Sequence, residues 1–421
     1  MREKQVAHKN MKRIILTPPD KIQTCIALPS SKSICNRALI INALAQNSAK
    51  LENLSDCDDT RVMIQALQNM PSVIDIGAAG TAMRFLTAFL SVHPGTHTLT
   101  GTQRMQQRPI GILADSLRAL GAEISYTGNE GYPPLHITGH ALTKHEVTLP
   151  GNVSSQYISA LLMIGPALKN GLTLNLTGDI ISRPYINLTL QLMQSFVARA
   201  SWINDHQLRV EAHPYTAPAS YYVESDWSAA SYWYEICALS PQAEIELPGL
   251  FRESPQGDAQ VASLFASLGV ATHYEDNKVT LRKSGTPVSR FTYNFIDQPD
   301  LAQTFVVTCA LMNIPFRFEG LQSLKIKETD RMAALINEMR KLGYVLEETD
   351  GRILAWEGKR CTPDAAPCID TYEDHRMAMA FAPACIPLKR LTINHPQVVS
   401  KSYPHYWTDL QSAGFIVKEE D

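Results

Sequence analysis

The sequence predicts an α+β protein, built from α/β-type repeats and folded as two domains. Three observations indicate this class: a length of 421 residues, a helix–glycine–strand junction that recurs along the chain, and strand-like runs between its copies, such as HTLTGT, LTLNLTG and VTLRKSG. A chain of this length exceeds what one hydrophobic core supports, so two domains are the default expectation.

The recurring junction joins an amphipathic helix to a short strand through a small residue. Clear copies end at Gly121, Gly269, Gly343 and Gly414, and a weaker copy falls near Ala198. Glycine is expected there because a positive φ costs it little. The copies lie roughly seventy residues apart, so six units fill the chain when a weaker first copy, LQNMPSVIDI, is included. Chance recurrence of a common junction is the alternative, but the near-constant spacing argues against it.

Composition excludes several functional classes. The 38 Lys and Arg residues are balanced by 41 Asp and Glu residues, so the chain lacks the general basic field of a nucleic-acid-binding protein. The N-terminal segment lacks the apolar core of a signal peptide, and no apolar run approaches the length of a membrane span. The eight cysteines lie in apolar contexts without a C-x-x-C pair, which is typical of buried thiols in a reducing compartment. We expect a soluble cytoplasmic protein that contacts neither nucleic acid nor membrane.

Several segments place polar or cationic residues just before an apolar helix. In LPSSKSICNRALIINALA, Ser30, Ser31 and Lys32 precede the helix and Arg37 lies one turn inside it. Unpaired N–H groups and a partial positive charge make such a helix start a candidate anion site, while ordinary serine capping is the alternative. The segment is not a Walker A loop, because G-x-x-x-x-G-K-[ST] is absent.

Three further segments share this character. DIGAAGTAMRFLTAFL carries Gly77, Gly80 and Arg84, but it lacks G-x-G-x-x-G, so a dinucleotide site is not favoured. The other two are TQRMQQRPIG, with Arg104 and Arg108, and GNVSSQYISALLMIG, with Ser154, Ser155 and Gln156. Each segment alone is typical of a plain loop or helix cap.

The segment KIKETDR, residues 325–331, has five charged residues in seven positions. Its local interpretation is a solvated helix start capped by Thr329 or Asp330. Later, DTYEDHRMAMAFAPA places Asp374, His375 and Arg376 directly before another apolar helix. A metal site there is not favoured, because adjacent residues rarely converge on one ion.

Taken together and in order, SKSICNRA, GAAGTAMR, RPIG, SSQ, SRPYI, QPD, KETDR, EDHRMAM and SKSYP resemble the enolpyruvyl transferases, and within them the branch that acts on shikimate 3-phosphate. The resemblance runs from Lys32 to Pro404. It implies two similar globular domains, each of three βαβαββ units, joined by two crossings in an inside-out α/β barrel-like arrangement. One domain would span 30–223, and the other would combine 1–29 with 224–421.

The resemblance also implies a reaction. The enolpyruvyl group of phosphoenolpyruvate would move to the 5-hydroxyl of shikimate 3-phosphate through a tetrahedral intermediate, with release of phosphate, in aromatic amino acid biosynthesis through chorismate. This step is the target of the herbicide glyphosate. It needs no metal or organic cofactor, and the family's complete active site within one chain implies a monomer. Converging Arg and Lys side chains would offset the repulsion between two phosphates and two carboxylates.

Site residues carry over position by position. Those for shikimate 3-phosphate would be Lys32, Ser33, Arg37, Ser154, Ser155, Gln156, Ser182, Asp300 and Lys327. Those for phosphoenolpyruvate would be Lys32, Gly80, Arg108, Gln156, Arg331, Arg376 and Lys401. The resemblance assigns carbon protonation and deprotonation to Glu328, the base toward the hydroxyl to Asp300, and the proton donor at the departing oxygen to Lys32.

Two alternatives stay open. The sister enolpyruvyl transferase that acts on UDP-N-acetylglucosamine uses a loop cysteine as its acid, and TQRMQQRPIG contains none. A non-catalytic anion-binding homologue would not need Asp300 and Glu328 facing anionic ligands. The chain departs from the commonest family pattern without losing a charged ligand; the departing positions are Ala78, Phe85, Ser225, Trp227, Ser323 and Glu373.

Overall fold

The computed structural model describes residues 13–420, and the chain divides into two compact units. The continuous unit is Ser30–Glu224, and the discontinuous unit combines Met1–Pro29 with Ser225–Asp421. These ranges differ from the expected domains at one residue: Glu224, expected in the discontinuous domain, belongs to the continuous unit. Whether each range folds independently stays a prediction.

Helices and strands alternate along both units. Within the described residues the α-helices are α1 Lys32–Leu44, α2 Asp58–Asn69, α3 Gly80–Val92, α4 Gly111–Leu120, α5 Ser155–Ile164, α6 Arg183–Ser195, α7 Trp227–Leu239, α8 Val261–Ala266, α9 Ala302–Leu311, α10 Arg331–Lys341, α11 His375–Phe381, α12 Cys385–Leu388 and α13 Tyr406–Ser412. The strands are β1 Arg13–Thr17, β2 Ile22–Cys25, β3 Lys50–Glu52, β4 Val73–Asp75, β5 Gly95–Thr100, β6 Glu123–Tyr126, β7 Leu135–Gly139, β8 Glu146–Pro150, β9 Leu172–Thr177, β10 Ala200–Asn204, β11 Gln207–Val210, β12 Ser220–Tyr222, β13 Ala243–Pro248, β14 Val270–Glu275, β15 Lys278–Lys283, β16 Phe291–Asn294, β17 Phe316–Glu319, β18 Glu347–Thr349, β19 Ile353–Trp356, β20 Cys368–Ile369, β21 Leu391–Asn394 and β22 Ile416–Glu420.

Five four-stranded sheets repeat one pattern. The continuous unit contains β4-β5-β7-β6 and β8-β9-β11-β10, and the discontinuous unit contains β2-β13-β15-β14, β16-β17-β19-β18 and β20-β21-β1-β22. In each sheet the first two strands are parallel and the remaining pairs are antiparallel. A parallel pair needs a crossover, which a helix supplies, and the result is the expected βαβαββ unit. The α+β class with repeated units is confirmed.

The sixth repeat is reduced. Strands β12 and β3 form a parallel two-stranded sheet, with α1 preceding β3 and α2 following it. Among the described residues this sheet has no closing hairpin. Two other repeats are completed by distant segments: β2 pairs with β13 across the inserted continuous unit, and β1 supplies the third strand beside β21.

The helix–strand junctions are confirmed. Gly121 and Gly343 have φ of 108° and 90°, as the C-cap argument requires. At the weaker copy the left-handed residue is Val197, with φ of 65°, one position before Ala198. The first weak copy ends α2 with Met70 at φ of 40°, but the following strand, β4, belongs to the next repeat's sheet.

Three helices form the centre of each unit. Helices α1, α3 and α5 pack against one another in the continuous unit, and α7, α9 and α11 do so in the discontinuous unit. Residues 80–91 of α3 and all of α9 are buried, as expected for helices covered on every side. Each unit has its own hydrophobic core. No helix among the described residues is both long and apolar enough to cross a membrane.

The cysteines follow the expectation in part. All eight lie within the described residues as free thiols, and five are buried. Cys25 is exposed, while Cys361 and Cys368 are half-buried. The expectation that every cysteine is a buried hydrophobe is therefore wrong for these three, of which Cys25 and Cys368 lie on the edge strands β2 and β20.

Candidate active site

Arg331, the first residue of α10, lies at the centre of a charged cluster in the discontinuous unit. Its side chain is 2% exposed. Its guanidinium donates from Nη1 to Asp300 Oδ1 at 3.1 Å, from Nη2 to Glu328 Oε2 at 2.9 Å and from Nε to Asp374 Oδ2 at 2.7 Å. Burial alone would lower the pKa of Arg331, but the three carboxylates raise it above its ordinary value. The guanidinium is therefore held in its charged form.

Asp300 contacts two further cations. Arg376 donates from Nη2 to Asp300 Oδ2 at 2.8 Å and from Nη1 to its backbone oxygen at 3.1 Å. Lys327 Nζ lies 3.6 Å from Asp300 Oδ1. Desolvation lowers the pKa of Lys327, and the neighbouring Asp300 carboxylate offsets part of that effect. The proposed base is thus contacted by three cations, Lys327, Arg331 and Arg376.

Glu328 is held between two cations. Its Oε1 accepts a hydrogen bond from Lys401 Nζ at 2.6 Å, and its Oε2 accepts the bond from Arg331. Lys401 ends a short 3-10 helix, Pro396–Lys401, which packs against α11. KIKETDR and the later SKSYP segment are therefore joined at a single carboxylate.

Helix capping places these charges. Asp330 accepts hydrogen bonds from the backbone N–H groups of Met332 and Ala333, each at 3.1 Å, which confirms the expected cap of α10. Asp374 caps α11 by accepting from the Arg376 N–H at 2.9 Å. Lys325, for which the sequence suggested no role, lies 2.7 Å from Glu348 Oε1 and stabilises the loop from outside the cluster.

In the continuous unit, Lys32 begins α1. Its Nζ lies 3.5 Å from Oδ2 of the buried Asp59. Ser31 is the N-cap residue but makes no side-chain capping bond, and its buried hydroxyl has no hydrogen-bond partner among the described residues. The serine-capping interpretation is therefore wrong for Ser31, because its hydroxyl leaves the first N–H groups of α1 to another partner.

Gly80 and its neighbours form the second part of this unit's candidate site. A Cβ added at Gly80 would lie 2.6 Å from Arg108 Nη1, so a larger residue there would require that guanidinium to shift. Gln156 Nε2 donates to Thr81 Oγ1 at 3.1 Å, which ties the start of α5 to the start of α3. Ser154 caps α5 by accepting from the Gln156 N–H at 3.3 Å. The structure thus brings these predicted ligands together at two helix N-termini.

Arg37 is placed differently from the other predicted ligands. It is 2% exposed. It donates from Nε to Thr189 Oγ1 at 2.7 Å, from Nη2 to Ser159 Oγ at 3.1 Å and from Nη1 to the Ser33 backbone oxygen at 2.9 Å. Burial lowers the pKa of Arg37 to about 10. These bonds join α1 to α5 and α6, so its role toward shikimate 3-phosphate stays a prediction.

Ser155 and Ser182, two further predicted ligands, also lie at helix starts. Ser155 is the first residue of α5, and Ser182 directly precedes α6 with a left-handed φ of 56°. Ser323 lies on the 3-10 helix Gln322–Ile326, just before KETDR. Within residues 13–420, no group of three or more His, Cys, Asp and Glu side chains is arranged to hold a metal ion.

Several residues that contact the predicted ligands were not identified from the sequence, among them Asp59, Thr81, Tyr232 and Asp374. The Tyr232 hydroxyl accepts from Arg376 Nη1 at 3.4 Å. Asp374 was considered only as a disfavoured metal ligand, yet it bonds Arg331. Its position immediately before an apolar helix was the signal, since Asp is a favoured N-cap residue.

The chain is similar to known proteins over nearly its whole length. The profile of the family described as EPSP synthase (3-phosphoshikimate 1-carboxyvinyltransferase) matches residues 16–74 and 67–410. A curated 3-phosphoshikimate 1-carboxyvinyltransferase of Bacteroides fragilis is 64% identical over 406 residues, covering 96% of this chain and 99% of the relative. One of Vibrio campbellii is 36% identical over 430 residues, covering 96% and 99%.

Two solved structures share the fold. EPSP synthase from Acinetobacter baumannii aligns with a TM-score of 0.78 at 21% identity, covering 97% of this chain and 100% of that chain. The enolpyruvyl transferase NikO from Streptomyces tendae aligns with a TM-score of 0.71 at 14% identity, covering 97% and 99%. The family profile and the identities to the curated relatives show that the chain belongs to the EPSP synthase family, the 3-phosphoshikimate 1-carboxyvinyltransferases.

Proposed function

We propose that the chain transfers the enolpyruvyl group of phosphoenolpyruvate to the 5-hydroxyl of shikimate 3-phosphate, releasing phosphate, in the shikimate pathway. The 64% identical relative carries the name of this activity across 96% of the chain. The observation that carries the proposal is the cluster around Arg331, where two carboxylates suited to proton transfer lie among cations suited to anion binding.

Seven residues are proposed ligands of phosphoenolpyruvate. In the discontinuous unit these are Arg331, Arg376 and Lys401, and in the continuous unit they are Lys32, Gly80, Arg108 and Gln156. Arg108 Nε is buried without a hydrogen-bond partner among the described residues, which favours a role in which a ligand supplies the acceptor. Guanidinium groups bind phosphate and carboxylate through two parallel bonds, which fixes the orientation of the donor substrate.

Shikimate 3-phosphate would bind mainly at helix starts. Its proposed ligands are Lys32, Ser33, Arg37, Ser154, Ser155, Gln156, Ser182, Asp300 and Lys327. The starts of α1 and α5 offer backbone N–H groups and the positive end of the helix dipole to a phosphate. The Ser31 hydroxyl, which has no hydrogen-bond partner among residues 13–420, supports this assignment for α1.

Three residues would move protons. Glu328 would deliver a proton to the methylene carbon and later remove one, and Asp300 would accept the proton of the attacking hydroxyl. Lys32, fixed by Asp59, would donate at the departing phosphate oxygen. Bound anions that draw Arg331 and Lys401 away from Glu328 would favour its protonated form, because those cations stabilise the carboxylate.

Further properties follow from the same proposal. The chain would work in the cytoplasm, as a monomer, without a metal or organic cofactor. All the residues proposed for both substrates belong to one chain, which supports the monomer. Its substrates are phosphorylated metabolites, which supports the compartment.

The test is phosphate release from phosphoenolpyruvate by the purified protein with different acceptors. Release is expected only when shikimate 3-phosphate is added, together with a product whose mass equals the acceptor plus an enolpyruvyl group. Release with UDP-N-acetylglucosamine instead would assign the sister reaction. No release with either acceptor would indicate an anion-binding homologue without turnover.

A further inference from the structure

Glu338 is a completely buried carboxylate that the proposed chemistry does not use. It lies on α10, seven residues after Arg331, so two helical turns place it on the same face of the helix. Its relative exposure is 0%. A charge buried this deeply is costly unless it is fully paired, so its partners indicate what it stabilises.

Every bond of this carboxylate within the described residues leads to α10 or to the segment that precedes α11. Oε1 accepts from the Tyr372 hydroxyl at 2.6 Å. Oε2 accepts from the Asp370 backbone N–H at 3.0 Å and lies 2.8 Å from Lys341 Nζ. Glu338 therefore binds one backbone group and one side chain of residues 370–372.

The same segment is held from its other side. Asp370 Oδ2 accepts from Lys341 Nζ at 2.8 Å, and Asp370 Oδ1 accepts from Asn394 Nδ2 of β21 at 2.7 Å. Lys341 also donates to the Cys368 backbone oxygen at 2.9 Å. Residues 368–372 are thus attached both to α10 and to strand β21.

A strained backbone follows immediately. Tyr372 and Glu373 have φ of 53° and 55°, so two successive non-glycine residues occupy the left-handed region. Such a conformation persists only where surrounding contacts determine it. Asp374 follows this turn, and its two carboxylate oxygens accept hydrogen bonds from Arg331 at 2.7 and 3.3 Å.

We propose that Glu338 is a positioning residue that clamps residues 370–372 to α10, so that Asp374 and Arg376 keep their places against Arg331 and Asp300. Because α10 carries both Arg331 and Glu338, one rigid helix fixes the cation and the segment that supplies its partner. Glu338 acts through these residues and does not itself contact substrate. The expected effect on substrate binding rests on the proposed function of Arg331 and Arg376 toward phosphoenolpyruvate.

The kinetic test compares Glu338→Gln and Tyr372→Phe with Glu357→Gln, which removes a surface carboxylate paired only with Arg290 among the described residues. In Glu338→Gln the KM for phosphoenolpyruvate is expected to rise by about tenfold, less than the roughly 10²-fold that a 1 Å misplacement of a positioning group can cost. The KM for shikimate 3-phosphate is expected to change less than about twofold. Tyr372→Phe removes the hydrogen bond to Glu338 and leaves the ring. It is expected to raise the KM for phosphoenolpyruvate by a smaller factor than Glu338→Gln.

A purely structural role gives a different pattern. It would lower stability or the active fraction and leave both Michaelis constants unchanged. That result, in a protein whose Arg376→Gln variant has a raised KM for phosphoenolpyruvate, or an equal rise in both constants, would overturn the positioning role. Glu357→Gln is expected to match the wild type in both constants.

A second readout separates this inference from the proposed function. Amide hydrogen exchange of the peptide covering residues 370–376 is expected to accelerate in Glu338→Gln and not in Glu357→Gln, whatever the ligand. Unchanged exchange would overturn the clamp. A third outcome is accelerated exchange in Glu338→Gln with unchanged Michaelis constants. If Arg376→Gln also keeps its KM for phosphoenolpyruvate, this outcome contradicts the assignment of Arg376 as a ligand and leaves the clamp standing.

Discussion

At the scale of single residues, Arg331 shows how a buried cation is stabilised by local pairing. Three carboxylates surround its guanidinium, and two of them, Asp300 and Glu328, also bind other cations. Removing one partner of such a network leaves a buried charge unpaired, which costs far more than the loss of a surface ion pair. Of the five charged residues of KIKETDR, Lys325 and Asp330 therefore stabilise the helix start. The other three, Lys327, Glu328 and Arg331, belong to the cluster.

Asp258 is a neighbouring carboxyl with an unusual titration. Burial and then the adjacent Asp300 raise the pKa of Asp258 to about 7, while the Ser228 hydroxyl donates to it. An Asp in an unfolded chain has a pKa of about 3.9. Between these values the folded state binds more protons, so the contribution of Asp258 to stability is fully present below about pH 3.9 and is lost as pH rises toward about 7.

Asp258→Asn is expected to remove this pH dependence, because the amide stays neutral. The free energy of unfolding of the wild type, minus that of Asp258→Asn, should fall by roughly 1–3 kcal/mol between pH 5 and pH 8. Urea denaturation at both pH values measures the difference. The exposed Asp276→Asn serves as the control, and its difference from the wild type should stay constant. A constant difference for Asp258→Asn as well would contradict the assignment.

At the scale of elements, the recurring helix–strand junction was predictable, because a glycine that follows a helical pattern indicates a left-handed C-cap. The reduced sixth repeat was not, since its strand β3 pairs with β12, which lies far away in the chain. The strand after α2 resembled a repeat member locally but joins another sheet. Local pattern therefore predicted each element, whereas its partners depended on contacts between distant segments.

The turn before α11 contains Glu373, one of the positions named above as departing from the commonest family pattern. Its side chain is exposed and its φ is 55°. Asn occupies the left-handed region more readily than Glu, because its short side chain can bond locally. Asn would therefore fit the backbone at this position better than Glu.

Glu373→Asn is accordingly expected to stabilise the protein by roughly 0.5–1 kcal/mol. Urea denaturation at one pH measures the change, and the exposed Glu419→Asn in strand β22 is the matched control. Asn is disfavoured in strands, so the control should not gain stability. A loss of stability in Glu373→Asn, or an equal gain in both variants, would show that the left-handed backbone is not the cause.

At the scale of the whole molecule, each unit places predicted ligands at its own helix starts. The motifs in order predicted the family and the cations at the helix starts. They did not predict Asp374 or Glu338, whose bonds to Arg331 and Asp370 span 43 and 32 residues. They also gave no sign that Arg37 bonds Thr189 across 152 residues. Such partners depend on packing, which a motif does not encode.

The central claim is that the charged segment 325–331 performs chemistry through Glu328 and not only binding through its cations. The direct measurement is turnover and equilibrium binding of both substrates in Glu328→Gln, with Glu357→Gln as the control. Binding of each substrate is expected to stay within about threefold, while kcat falls by about 10²- to 10⁴-fold, the usual contribution of general acid–base catalysis. Near-normal turnover in a Glu328→Gln protein that binds both substrates would contradict the claim.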